Sequence, residues 1–394
     1  MPQPPRLLIA ALIALHAVLP SGKAVAQTAP AAHRVTVRLA FDRNGLGAAH
    51  EAGATIHDPV RIASISKLLT ALGVMRLVEQ GRLDLDADVS ALLGFAVRHP
   101  RFPGRPVTLR LLLSHRAGLA DGIDYALPLG HSLKDALADP AAWDPDHGPG
   151  SWFRYANLNF PVIAGVMEAA TGERFDRLMA RLVFAPLGVE ACFNWTTCSD
   201  DMIARAVPLI GADGSGRADQ LGGRRPDCPV RRAPGTPCAL EDYRPGRNGA
   251  LFSPQGGARI SAAGLARIGQ MLLRGGEGFL SPGSIATLTG PVWTHPPDPG
   301  DGGDEHGGSA GLFCRYGLAV HWLESGTPGC ADNLFGDGRA RIGHAGEAYG
   351  LRSGLWLDPA AGTGIVYFIT AVPDDAPRGR SAFSATEEAL ARGR

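Results

Sequence analysis

The alternating, strand-like runs of this chain lie at its two ends and the helical runs lie between them, an arrangement that leaves few folds open. Val35, Val37, Leu39 and Phe41 alternate within 33–41, Asn44-Gly45 signals a turn, and a second extended stretch precedes Asp58-Pro59. Tyr316 to Leu323, Arg341 to Ala345, Ser353 to Leu357 and Gly364 to Ala371 are again short β-like runs, with Ser384 to Arg392 as a closing helix. In between, Ile65, Leu68, Leu69, Leu72, Met75 and Val78 recur at helical spacing after Ser64, until Gly81 closes the run. Thr108 to Ser114, Leu133 to Ala138, Phe160 to Thr171, Arg174 to Phe184 and Ser261 to Arg274 are further helical stretches. Strands at both ends around helices predict one sheet assembled from both termini. The expected division is an α/β part from 27–80 and 310–394, and a mainly helical lobe from 81–309.

Two long polar segments interrupt this pattern. The Arg/Gly/Pro-rich stretch 212–248 is too polar for a core element and is expected to run over the surface, above a site. A second loop, acidic and glycine-rich, spans 296–309.

Charge excludes several partners. Lys+Arg and Asp+Glu are both 38, so a chain with no net charge offers no electrostatic footprint for nucleic acid or an anionic membrane. The hydrophobic fraction of 45% is that of an ordinary globular chain, and 394 residues predict two to three domains or lobes.

The first 26 residues read as a cleaved signal peptide, with Arg6 as the positive region, Leu7 to Leu19 as the apolar region and Ala24-Val25-Ala26 as the cleavage site. The implied location is periplasmic or secreted, with no stable membrane insertion after cleavage. The six cysteines agree, since Cys192 with Cys198, Cys228 with Cys238 and Cys314 with Cys330 form three local couples suited to disulfides. Zinc-type spacing is missing, so no metal is expected.

Lysine is scarce: Lys23, Lys67 and Lys134 are the three in the chain, and the remaining basic residues are arginines. One of them completes Ser64-Ile65-Ser66-Lys67, the single SxxK of the sequence. Positions i and i+3 of a helix share a face, so the Lys67 amine can approach the Ser64 hydroxyl. A serine needs a base to become a nucleophile, and a desolvated lysine is neutral enough to serve. Tyr155 and Asn157 form a Tyr-x-Asn after a Gly-Pro-Gly loop; a tyrosine beside a lysine can shuttle a proton, and an asparagine can hold the amine. His344-Ala345-Gly346 ends a β-like run, where Gly346 leaves room for a substrate along the strand and the Glu347 N–H is placed as an oxyanion donor.

The order and spacing of these three motifs, with Gly81 to Val89, Val107 to His115, Phe184-Ala185-Pro186-Leu187-Gly188 and Pro254-Gln255-Gly256-Gly257, resemble the penicillin-recognising serine hydrolases. The similarity is to the class C β-lactamase-like branch, which includes esterases, D-aminopeptidases and D-alanyl-D-alanine carboxypeptidases, and it runs from about residue 35 to 371. It implies an antiparallel sheet flanked by helices with an inserted helical lobe, an active site between them, and no cofactor. It also implies an acyl-enzyme on Ser64, a coupled base formed by Lys67 and Tyr155, and Asn157 orienting Lys67 and the substrate. The expected partner is a small-molecule or peptide substrate.

In the third motif His344 replaces the lysine usual in β-lactamases and carboxypeptidases. Histidine is an unreliable cation at pH 7, which favours ester or D-amino-acid amide hydrolysis over β-lactam turnover. Arg224, Arg225, Arg231 and Arg232 of the 212–248 segment are candidate replacement cations. A competing GxSxG surrounds Ser309, but it follows a Pro/Gly/Asp loop where the elbow requires a strand, so Ser64 is the expected nucleophile.

Overall fold

A computed structural model describes residues 34–295 and 311–393. The signal-peptide segment, the cleavage site and the Ser309 motif lie outside the described residues. Eight strands form one antiparallel sheet: β1 (Thr36–Asp42), β2 (Leu46–Ala52), β3 (Trp293–Thr294), β4 (Arg315–Tyr316), β5 (His321–Leu323), β6 (Arg341–Ala348), β7 (Leu351–Asp358) and β8 (Thr363–Ile369). Their order across the sheet is β2-β1-β8-β7-β6-β5-β4-β3. β1 meets β8 in the register Thr36 to Ile369 through Asp42 to Thr363, so the two chain ends close the sheet as expected.

The strand patterns explain the layers. On β1, buried Val37, Leu39 and Phe41 alternate with half-buried neighbours, so one face packs inward. β7 is buried along its whole length, because both faces of this central strand are covered. Helix α3 (Ala262–Leu273), capped by the Ser261 hydroxyl, lies on one face; Gly269 approaches the ring of Phe41 and the Leu357 side chain so closely that a Cβ would collide. Helix α4 (Ala385–Arg392) begins in a reciprocal capping box between Ser384 and Glu387 and covers Trp356, Tyr367 and Ile369 on the other face. α3 belongs to the stretch expected in the helical lobe, yet it packs on the sheet.

Helix α1 (Ser66–Glu79) runs through the centre of the molecule and is buried on nearly every side, as is α2 (Asn159–Thr171) against which it rests. A three-stranded antiparallel sheet, Val60–Arg61, Ala258–Ile260 and Ala191–Phe193, sits at the start of α1. The run from Arg174 is helical from Phe175 to Met179 and continues as a π-turn to Phe184. A helix over Pro282–Thr289 had no periodic signal in the sequence; Ser281 caps it and proline occupies its first position, where the missing N–H costs nothing. Among the described residues no helix is long and apolar enough to cross a membrane.

All three local cysteine couples are disulfides: Cys192–Cys198, Cys228–Cys238 and Cys314–Cys330. Within the 212–248 segment, Gly216–Ala218 pairs with Leu209–Ile210 in a short hairpin, and Arg225 further on donates to the Trp195 and Cys198 carbonyls.

Candidate active site

The chain enters the site through a strained turn. Ala63 has φ +47, a left-handed conformation that costs an L-residue energy, and it turns Ala63–Ile65 into one 3-10 turn before α1 begins at Ser66. This lifts Ser64, half-buried, to the floor of a cleft of about 1170 Å³ between the sheet and the helical lobe. Gly346 on β6 supports the turn. A Cβ there would lie 2.3 Å from the Ile62 carbonyl and 2.4 Å from Ser353 Oγ, while the Ser353 hydroxyl donates to that same carbonyl at 3.1 Å. The glycine therefore admits the turn that bears Ser64 to the strand.

Lys67 lies one helical turn on, fully buried. Its amine donates to Ser64 Oγ at 2.9 Å, Asn157 Oδ1 at 2.8 Å and the Gln255 carbonyl at 3.1 Å, which uses all three ammonium hydrogens. Among the described residues no carboxylate touches it, and burial brings its pKa down to about 7, against a smaller upward pull from the charge of Asp121. The Pro254-Gln255-Gly256-Gly257 loop is held to α1 by Thr70, whose hydroxyl donates to Pro254, and by Ser66, whose hydroxyl accepts from the Ala258 N–H.

Asn157 is held in turn by Asp121, a residue that no sequence motif marks. Asp121 Oδ2 accepts from the Asn157 backbone N–H and side-chain amide, both at 2.9 Å, and Oδ1 from the Leu158 N–H. The amide oxygen of Asn157 is thereby turned toward Lys67. Tyr155 is sandwiched: the His115 ring stacks on it at 4.3 Å between centroids and Phe313 at 4.6 Å, and the Lys67 amine sits 4.9 Å from its ring centre. His115 is fixed by accepting the Ala156 N–H at Nδ1.

His344, on β6, is fully buried and lines the cleft. Its pKa falls well below 6.5 through burial first and the charge of Lys67 second. It stands there as a neutral group, in keeping with the absence of a dependable third-motif cation. Glu347, exposed on the same strand, is paired with Arg352 at 2.8 Å. Ser64, Lys67, Tyr155, Asn157, His344, Gly346 and Glu347 thus meet around one cleft, although they come from three separate stretches of the chain.

The 212–248 segment forms a wall of this cleft through Ala218 to Leu221 and Pro226 to Arg231. Three of the four candidate arginines have partners, Arg231 at the cleft itself. Arg225 pairs with Asp200 at 2.7 Å and Arg231 with Asp124 at 2.7 Å, while Arg232 donates to the Thr236 carbonyl; Arg224 does not line the cleft. The buried cation on this side is Arg259, which pairs with Asp219 at 2.7 Å; burial first and the charge of Arg61 second lower its pKa to about 10, against an upward pull from Asp219. Asp219 also accepts from the Trp195 indole and meets Arg61 at 3.4 Å, so it ties the wall to the strand that leads into Ser64.

A serine beside a buried lysine of lowered pKa, under an asparagine and a tyrosine, brings together the groups that acyl transfer to a hydroxyl requires: an oxygen, a base within hydrogen-bond reach of it, and an amide that orients the base. The family model described as beta-lactamase matches residues 23–389, and the chain belongs to that family. Over 133 residues it is 34% identical to penicillin-binding protein 4 of Amycolatopsis lactamdurans, covering 32% of this chain and 33% of that protein. Over 163 residues it is 32% identical to esterase EstB of Burkholderia gladioli, covering 36% and 40%. The chain thus spans well under half the length of these curated relatives. A class C β-lactamase from Rhodobacter sphaeroides superposes with a TM-score of 0.63 at 16% identity, over 91% of this chain and 92% of that one, which establishes the shared fold.

Proposed function

We propose that the chain is an exported serine hydrolase that cleaves an ester, amide or lactam through an acyl-enzyme on Ser64. The observation that carries this is the 2.9 Å contact of the Lys67 amine, with its pKa lowered to about 7, to Ser64 Oγ. The unprotonated amine takes the hydroxyl proton as Oγ bonds to the carbonyl carbon; the pair Lys67 and Tyr155 returns a proton to the leaving group as its C–O or C–N bond breaks. The backbone N–H groups of Ser64 and Glu347 face the oxygen that gains charge, and Asn157 aligns lysine and substrate. Water then releases the acyl group by the reverse proton path. Three disulfides near the cleft support an oxidising, periplasmic or secreted location.

Within this reading a neutral His344 and the pairing of Arg61 and Arg259 with Asp219 and of Arg231 with Asp124 favour acyl donors that lack a carboxylate, such as esters and D-amino-acid amides, over β-lactams. The test is Ser64→Ala with a p-nitrophenyl ester. Hydrolysis falls by at least about 10⁴-fold while circular dichroism is unchanged; full activity in the folded variant would sink the mechanism. Nitrocefin turned over orders of magnitude faster than the ester would overturn the substrate preference.

A further inference from the structure

Behind His344 stands Tyr316, on β4, two strands away across β5. Its hydroxyl and His344 Nε2 are 2.9 Å apart, and both rings are wholly buried. The other imidazole nitrogen, Nδ1, lies 2.6 Å from the Ala345 carbonyl. A carbonyl can only accept, so Nδ1 carries a hydrogen; in the neutral ring Nε2 is then the acceptor, and Tyr316 must donate. A solvated histidine side chain prefers the opposite tautomer, so the ring's surroundings impose this one.

The groups facing the ring give it no reason to take a second proton. Lys67 approaches from α1, His321 from β5 and the Tyr155 ring from the lobe, and among the described residues no carboxylate hydrogen-bonds to either nitrogen. The tyrosine is itself immobilised. It packs edge-on to Tyr155 and His115, sits beside Phe153 and Phe313, and the Cys314–Cys330 disulfide anchors the strand on which it lies.

We propose that Tyr316 is a positioning and specificity-determining residue, which holds His344 as the neutral Nδ1–H tautomer and so denies the cleft a hydrogen-bond donor for a substrate carboxylate. With Nε2 occupied, His344 presents the substrate with an uncharged ring that has no outward N–H. The third motif then works by shape, and the site selects neutral acyl donors. This substrate preference rests on the Ser64 reading above, whereas the tautomer does not.

The experiment uses the whole protein with ¹⁵N-labelled histidine, with the His344 signals assigned among the twelve histidines by His344→Gln. Expected is the neutral Nδ1–H signature from about pH 5 to 8. An Nε2–H signature, or titration within that range, overturns the proposal whatever the enzyme does. In Tyr316→Phe the donor to Nε2 is gone while the Ala345 carbonyl still holds Nδ1–H, so the ring is expected to keep that hydrogen and to take up a second proton, at Nε2, at higher pH than in the native protein. The ratio of kcat/KM for p-nitrophenyl acetate to that for nitrocefin, which carries a carboxylate, then falls about tenfold, chiefly through a lower KM for nitrocefin. Equal losses on both substrates with the His344 signal unchanged would make Tyr316 a packing residue only and overturn the proposal. If Tyr316→Phe does not fold, the spectrum of the native protein decides. Should Ser64→Ala retain activity, the mechanism fails while the tautomer result still stands.

Discussion

The floor of the cleft and its wall each bury a cation, and the two are handled in opposite ways. Lys67 on the floor is surrounded by neutral acceptors, and burial pulls its pKa to about 7. Arg259 in the wall is equally enclosed but touches Asp219, and it stays charged, near 10. Burial lowers the pKa of both; Arg259 still keeps its proton because a guanidinium starts from a higher pKa than an amine and Asp219 pulls it partly back. One region holds a proton that is lost near pH 7, and the other holds one that stays.

Breaking the floor has the largest effect. Lys67→Arg retains charge and removes the titration, so kcat for a p-nitrophenyl ester should fall by about 10³- to 10⁴-fold with the fold retained in circular dichroism. Breaking the wall costs stability. Asp219→Ala leaves Arg259 buried and unpaired, and urea unfolding should show a loss of about 3–5 kcal/mol with a raised KM. Replacing Cys228 and Cys238 together by serine releases the stretch that carries Pro226 to Arg231, for about 2–3 kcal/mol in the same assay.

A subtler substitution sharpens the contrast. The base must be unprotonated, so kcat/KM rises with pH through a midpoint near 7, where the lysine–tyrosine pair loses its proton. The Asp121 charge raises the lysine's proton affinity, hence Asp121→Asn moves that midpoint to lower pH and, by loosening Asn157, costs about tenfold in kcat. A midpoint moving upward would show that Asp121 acts through geometry alone. The smallest effect belongs to Asp124→Asn, whose partner Arg231 is half-exposed; a change beyond about 1 kcal/mol is not expected.

Local chemistry accounts for what the sequence made legible. The helical period of 65–78, the Asn44-Gly45 turn and the β-like runs at both ends are readable because their causes lie within a few residues, as does the pairing of cysteines close in sequence. Ser64, Lys67, Tyr155, Asn157 and His344 were found through spacing and family resemblance, and the geometry brings them together. Asp121, Asp219, Phe313 and Tyr316 were not found. Each acts across a large sequence separation on a residue already singled out or on its turn: Asp121 on Asn157, Asp219 on Arg61, Phe313 on Tyr155, Tyr316 on His344. An acid in a glycine-flanked loop or a tyrosine on a two-residue strand carries no periodicity that marks such a partner. The sequence pattern marks Gly346 as space for a substrate, and its close approach to Ile62 adds a second demand on the same missing Cβ.

The sheet that joins both ends of the chain sets an order of events during synthesis. Val35 is hydrogen-bonded to Thr370, 335 residues away, and the turn bearing Ser64 leans on β6, which begins only at Arg341. A nascent chain has therefore made its serine, lysine, tyrosine and asparagine long before it owns the strand that seats them. Closure of the sheet waits for the last strands to be made, and a ribosome-bound fragment is inert because its chemistry has no seat until then.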